Sequence, residues 1–210
     1  MLFRSGVFHY AGRLDDHRRQ LQEGLEISKR VGMPFFVAQA EIWSAWNKAE
    51  TGDRSDETIA LFDSALSRLA ETGVAGLSYL RALHAEALSE HGETSQALAL
   101  LQSALDRIRA SGETAHAAEI HRIRAAVLAR DGGEKNSEAE QAFKESLAIA
   151  RSQKAKAWEL RSATGYARLL KEIGRESEAR DLLEPVYDWF TEGFDTQDLK
   201  EAKVLLRELS

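Results

Sequence analysis

Apolar residues along this chain recur at helical rather than alternating spacing. Near the C-terminus Leu199, Ala202, Leu206 and Leu209 stand at i, i+3, i+7 and i+10, and Lys200, Glu201, Lys203, Arg207 and Glu208 fill the intervening positions. That is the period of an amphipathic helix. No stretch shows sustained period-two alternation of β-branched residues, so the pattern predicts no strand. Alanine, leucine, glutamate and arginine dominate and all favour helix, while proline occurs only at Pro34 and Pro185.

Glycines punctuate the helical blocks. Gly12, Gly52, Gly92, Gly132 and Gly174 follow one another at intervals of 40, 40, 40 and 42 residues, in the contexts YAGRLDD, AETGDRSD, SEHGETS, ARDGGEK and KEIGRES. Glycine ends one helix in a left-handed residue, and a nearby Ser, Thr, Asp or Asn caps the next. Seven residues before each glycine stands a small residue: Ser5, Ala45, Ala85, Ala125 and Ala167. Thirteen to fifteen residues after it stands a large one: Leu25, Leu66, Leu105, Leu147 and Tyr187. Small residues let helices approach, and large ones fill the space beyond. A second stop closes the following helix at Gly32, Gly73, Gly112 and Gly193, whereas the fourth repeat has Lys154 and Ala155 there. Each repeat is thus two helices, A then B. Such a hairpin cannot bury its apolar face alone, so neighbours stack.

At these residues the chain resembles the tetratricopeptide repeat (TPR). GETSQALALLQSAL (Gly92 to Leu105) carries Ala97, Leu101, Ala104 and Leu105 at that family's offsets, and GRESEARDLLEPVY (Gly174 to Tyr187) carries Ala179, Leu183, Val186 and Tyr187. The repeat is about 40 residues where the family has 34. The resemblance implies an all-α, right-handed α-solenoid of TPR-like hairpins with a C-terminal capping helix. It places one repeat domain over residues 1–210, with repeats at 1–32, 33–73, 74–112, 113–155 and 156–194 and a cap helix at 195–210. A narrower resemblance lies in AEIHRIRAAVLARDGG, WELRSATGYARLL and PVYDWFTEGFDTQDLKEAKVLL. These are similar to the C-terminal end of bacterial multidomain signalling proteins that carry an adenylate/guanylate cyclase domain and an ATPase domain. The chain is therefore expected to be part of a larger protein.

The first A helix has 11 residues before Gly12, where later ones have about 18. Leu2, Phe3, Val7 and Phe8 would form an apolar face, a candidate contact for missing sequence or for a second copy.

Composition narrows the chemistry. The net charge is −6, so the chain lacks the basic footprint of a nucleic-acid binder. It has no cysteine, which excludes disulfides and thiolate chemistry. No apolar run approaches the ~20 residues of a membrane span, and the N-terminus is not a signal peptide, so the expected compartment is the cytoplasm. GxxxxGK[ST], GxGxxG and HExxH are absent. His116, Glu119 and His121 come nearest to a metal set, but His121 at i+5 leaves the face shared by the other two. His84, Glu86 and His91 do no better. No catalytic residues, metal or cofactor are assigned, and the chain is read as non-enzymatic.

In the tetratricopeptide fold helix A lines the concave groove. Carried over by offset from the turn glycine, the groove residues are Gln39, Ile42, Trp46, Tyr79, Glu86, Glu119, Arg122, Arg161, Arg168 and Lys171. They imply an apolar end near Trp46 and Tyr79 and a basic end at Arg122, Arg161 and Arg168, suited to a peptide or partner protein with an acidic group. The expected function is a non-catalytic interaction domain of a bacterial signalling protein associated with a cyclase or ATPase. The alternative is the repeat arm of a transcription regulator that binds a small inducer or partner. Finally, Pro185 inside helix B of the fifth repeat predicts a bend near Leu182, with Tyr187, Phe190 and Phe194 beneath the terminal helix and Trp189 at its rim.

Overall fold

A computed structural model describes residues 7–72 and 77–210, and among them every regular element is helical. Leu2, Phe3, Ser5 and Gly73 lie outside the described residues. A helical segment at 7–10 precedes α1 (Leu14–Val31), α2 (Pro34–Glu50), α3 (Asp56–Glu71), α4 (Ser78–His91) and α5 (Thr94–Ser111). Then come α6 (Ala117–Asp131), a 3-10 turn at Gly133–Lys135, α7 (Asn136–Ser152), α8 (Lys156–Glu172), α9 (Glu176–Tyr187) and α10 (Gln197–Glu208). The chain forms two compact units, Met1–Ala104 and Leu105–Ser210. In the first, α2 packs on α1, α3 and α4; in the second, α8 packs on α6, α7, α9 and α10. The A helices of each unit therefore touch one another as well as their own B helices.

One register explains the core. Counting from the B-helix positions Leu25, Leu66, Leu105, Leu147 and Tyr187, the residues four earlier are Leu21, Phe62, Leu101, Phe143 and Leu183, and none is more than 1% exposed. Eight earlier stand His17, Thr58, Ala97, Ala139 and Ala179, all fully buried. On the A helices Ala45, Ala85, Ala125 and Ala167 are fully buried, as the spacing to the turn glycines implies. The large positions chosen from sequence lie nearer the edge: Leu105 and Leu147 are buried, but Leu25, Leu66 and Tyr187 are half-buried.

The turns follow from hydrogen-bond closure. At Gly174 (φ 77°) the chain turns left-handed, its N–H bonds Lys171 O at 3.0 Å, and Arg175 N–H bonds Leu170 O at 2.8 Å. This paired closure satisfies carbonyls that the helix end leaves open. Lys154 (φ 55°) makes the same closure without a glycine, with its N–H on Arg151 O at 3.0 Å and Ala155 N–H on Ala150 O at 2.9 Å. The missing glycine of the fourth repeat thus changes the residue and keeps the geometry. The 42-residue interval is taken up by the 3-10 turn before α7.

The C-terminal expectation needs correction at Phe194. Helix α9 runs through Leu182 and two residues past Pro185 to Tyr187. Tyr187 and Phe190 are half-buried and Trp189, expected at the rim, is 56% exposed, but Phe194, expected beneath the helix, is 46% exposed. The buried residues here are Leu199, Ala202 and Leu205 of α10 and Leu209 just after it, with Leu206 only half-buried.

Candidate functional site

The second unit places three A-type helices side by side, and one charged residue from each forms a ladder. Glu119 (α6) and Arg161 (α8) both stand thirteen residues before their turn glycine, and Asp198 (α10) continues the row. Arg161 donates through Nε to Asp198 Oδ2 at 2.8 Å, and its Nη1 lies 3.5 Å from Glu119 Oε1. Arg122 donates to the other oxygen of Glu119 at 3.0 Å. The Arg161 guanidinium lies over Trp158, 5.1 Å from its ring centre. Burial alone would raise the pKa of Glu119, which is 2% exposed; Arg122 and Arg161 outweigh it and hold the carboxyl below its usual range. At Asp198 burial wins over Arg161, and the nearby Glu119 and Glu201 charges add to it, so that carboxyl is raised.

Further along the same two helices Arg168 pairs with Glu201 and Lys171 with Glu208, each at 2.7 Å. The partners advance in the same direction on both helices, so α10 runs parallel to α8. Between them lies an open cleft of about 680 Å³, walled by Arg168, Lys171, Gln197, Lys200, Glu201 and Val204 among others. The expected basic end of the groove is therefore corrected. Arg161, Arg168 and Lys171 do not stand free, because α10 occupies the next A-helix place and carries carboxylates in register. Arg122 is held by Glu119. Glu119 itself is buried and serves the ion network.

The apolar end is corrected as well. Ile42 is fully buried, Trp46 is 6% exposed and Tyr79 4%, so all three are core residues of the first unit. Gln39 and Glu86 are half-buried. Trp46 and Tyr79 pack around His9, whose Nε2 lies 2.7 Å from Tyr79 Oη and whose ring centre is 4.2 Å from Trp46 and 4.6 Å from Trp43. His17 borders the same cluster, 5.3 Å from Trp46. Its protonation follows from its neighbours. Arg18 Nε, a donor only, bonds Asn47 Oδ1 at 3.0 Å, so the Asn47 amide nitrogen faces Leu14 O at 3.0 Å and His17 Nδ1 at 3.3 Å. His17 Nδ1 must then accept, and the proton sits on Nε2. Burial pushes its pKa down to about 4.

Offset reasoning missed His17, Trp43 and Asn47. The available signal was His17 itself, which stands where Ala97 and Ala179 stand in the other B helices. A polar residue at a small, buried position needs a partner. Of the N-terminal face, Val7 is 65% exposed and Phe8 is half-buried under Arg13, 5.0 Å from its ring centre. His116, Glu119 and His121 turn to different partners: His121 Nδ1 lies 3.1 Å from Glu145, and the His116 ring centre is 6.4 Å from Trp158. Among the described residues no helix is long and apolar enough to cross a membrane.

No family model matches the chain. An uncharacterised protein of Rhizobium meliloti (strain 1021) is 33% identical over 152 residues, which is 71% of this chain and 14% of that protein. The chain thus spans 14% of the length of the curated relative it matches. Among solved structures, Bacillus thuringiensis PlcR, in complex with the peptide PapR7 and DNA, is similar over 98% of this chain and 71% of its own, with a TM-score of 0.75 at 14% identity. A Rap protein complexed with competence and sporulation factor is similar over 98% and 60%, at 0.59 and 14%. A kinesin light chain of Podospora anserina with nearly identical TPR-like repeats is similar over 87% and 89%, at 0.59 and 17%. These likenesses show the fold: the chain is an all-α protein of TPR-like helical hairpins with a C-terminal helix.

Proposed function

We propose that the chain is a non-catalytic protein-interaction module whose A-helix face in the second unit docks a peptide or partner segment bearing acidic and apolar residues. The observation that carries this reading is the α8–α10 cleft. Its cations Arg168 and Lys171 pair with Glu201 and Glu208 of an amphipathic helix, which shows the kind of group they accept, on a wall of mixed charge that also carries Lys200, Glu172 and Glu176. Ion pairs this exposed contribute only ~0–1 kcal/mol, so a partner's carboxylates exchange with the resident ones at little cost. Val204, 52% exposed on the cleft wall, offers the apolar contact. PlcR and the Rap protein, of the same fold, were solved with a peptide and with a competence and sporulation factor, which supports a peptide-sized occupant.

The finer reading is a regulatory segment of a bacterial signalling protein associated with a cyclase or ATPase. The similarity of its last two repeats to such proteins supports it, as does the far greater length of the Rhizobium relative. The likeness to PlcR favours the second reading, a repeat arm of a transcription regulator. With a net charge of −6, contact with DNA would then fall to another domain. Sequencing the full gene product separates the two: a cyclase or ATPase domain supports the first, a DNA-binding domain the second. The docking face is tested by Arg168→Glu with Lys171→Glu, which should abolish partner capture. Unchanged capture by the folded double variant would refute the face.

A further inference from the structure

A second cleft, of about 600 Å³, opens in the first unit between α3 and α5, with α4 as its floor. The corresponding place in the second unit carries different residues. His84 and Tyr166 both stand eight residues before their turn glycine, and both stack on a B-helix phenylalanine: His84 on Phe62 at 5.0 Å and 14°, Tyr166 on Phe143 at 5.7 Å and 12°. In the second unit the Tyr166 hydroxyl donates to Glu140 at 2.7 Å and Arg175 donates to the same carboxylate at 2.6 Å, which ties α7 to the start of α9. In the first unit Ile59 and Glu93 occupy the positions of Glu140 and Arg175. Histidine is shorter than tyrosine and has no hydroxyl, and Ile59 and Glu93 do not supply the carboxylate and guanidinium of that bridge.

Two polar groups on that floor are unmet. Arg81 is half-buried, and every other half-buried lysine or arginine among the described residues lies within 4.0 Å of a carboxylate: Arg122, Arg124, Lys135, Lys156, Arg161, Lys171, Arg175 and Arg180. Arg81 has no such partner. One turn along, His84 is 3% exposed, and its Nε2 has no hydrogen bond; it lies 3.6 Å from Asp63 Oδ1, at the cleft rim. A guanidinium on a cleft floor with no carboxylate within 4.0 Å can take one from a ligand through charge-assisted hydrogen bonds. The walls carry Leu66 and Leu100 for apolar contact, and Ser67, Ala70, Ala99 and Ser103, small enough for a backbone to approach.

We propose that the α3–α5 cleft binds a short peptide segment in which a carboxylate side chain, flanked by apolar residues, pairs with Arg81. The site lies between B helices, so it goes beyond the A-helix docking face and stands or falls separately from it. The test uses the whole chain on an array of leucine- and alanine-containing decamers, each with glutamate at one position and a glutamine counterpart. Glutamate peptides should be retained and glutamine counterparts lost. Retention should drop at least about tenfold in Arg81→Gln, and in Ser103→Trp, which fills the cleft from an exposed position. The array is also read in the Arg168→Glu with Lys171→Glu background, which removes the A-helix face from the readout, and the glutamate dependence and its loss in Arg81→Gln should persist there. Arg81→Gln should melt like the parent, because Arg81 has no carboxylate within 4.0 Å among the described residues; if it fails to fold, Ser103→Trp carries the test. No retained peptide, equal retention of glutamine counterparts, or unaffected binding by the folded variants overturns the proposal. Competition by inorganic phosphate as effective as by glutamate overturns the carboxylate assignment.

Discussion

Arg161 on α8 donates to Asp198 on α10 at 2.8 Å while its guanidinium also faces the buried carboxylate of Glu119 on α6. One side chain thereby ties the last helix to the A-helix row. Arg161→Ala leaves Glu119 with Arg122 alone, and removing one partner from a buried pair costs about 3 kcal/mol. Asp198→Asn should cost much less, because burial already disfavours its charge and asparagine keeps an acceptor for Arg161. Urea melts of the two variants check the order. Equal losses would show that Arg161 acts only through Asp198.

Lys154 holds a left-handed conformation that an L-residue reaches at a cost of about 1–2 kcal/mol. Lys154→Gly should therefore stabilise the chain by about 1 kcal/mol, read as a higher urea midpoint. Gly174→Ala, at φ 77°, should lower it by a similar amount.

Gly165 lies against the Phe143 ring, where an added Cβ would stand 2.8 Å from Cε1. Gly165→Ala must push the ring off Tyr166 and should cost about 1–3 kcal/mol. Phe143→Leu in the same chain relieves the contact and should recover part of the loss, measured by thermal melting. No recovery would mean that the glycine matters for another reason.

The glycine and alanine pattern was legible because its causes are local. A left-handed turn residue and a close helix contact each demand one residue type at one place, and Gly174 and Ala167 supply them. The groove was not legible, because an offset gives the face of a helix but not what covers it. Arg161 and Arg168 sit at groove offsets, yet their carboxylates come from α10, 33 to 37 residues away. Trp46 and Tyr79 likewise sit at groove offsets, but His9 fills the space between them. Phe194 failed for the opposite reason: it is apolar enough for the core, but the buried residues here are Leu199, Ala202 and Leu205 of α10.

His17 makes the first unit acid-sensitive. Its pKa falls from 6.5 to about 4 on folding, so between those values the unfolded chain binds the extra proton. Stability is then complete above pH 6.5 and declines as pH falls toward 4, by up to about 1.4 kcal/mol per unit from this group. His84, His116 and His121, also lowered by burial, add to the slope in the same direction. Melting temperatures from pH 7 to 4 should fall, and less steeply in His17→Gln. An identical slope in that variant would remove His17 from the account.

The docking face is tested most directly by placing a photo-crosslinking residue at Val204, on the wall of the α8–α10 cleft, in cells that make the full-length protein. A discrete protein or peptide adduct that disappears when Arg168→Glu and Lys171→Glu are added is the expected result. No adduct from position 204, or the same adduct in the charge-reversed protein, would contradict it.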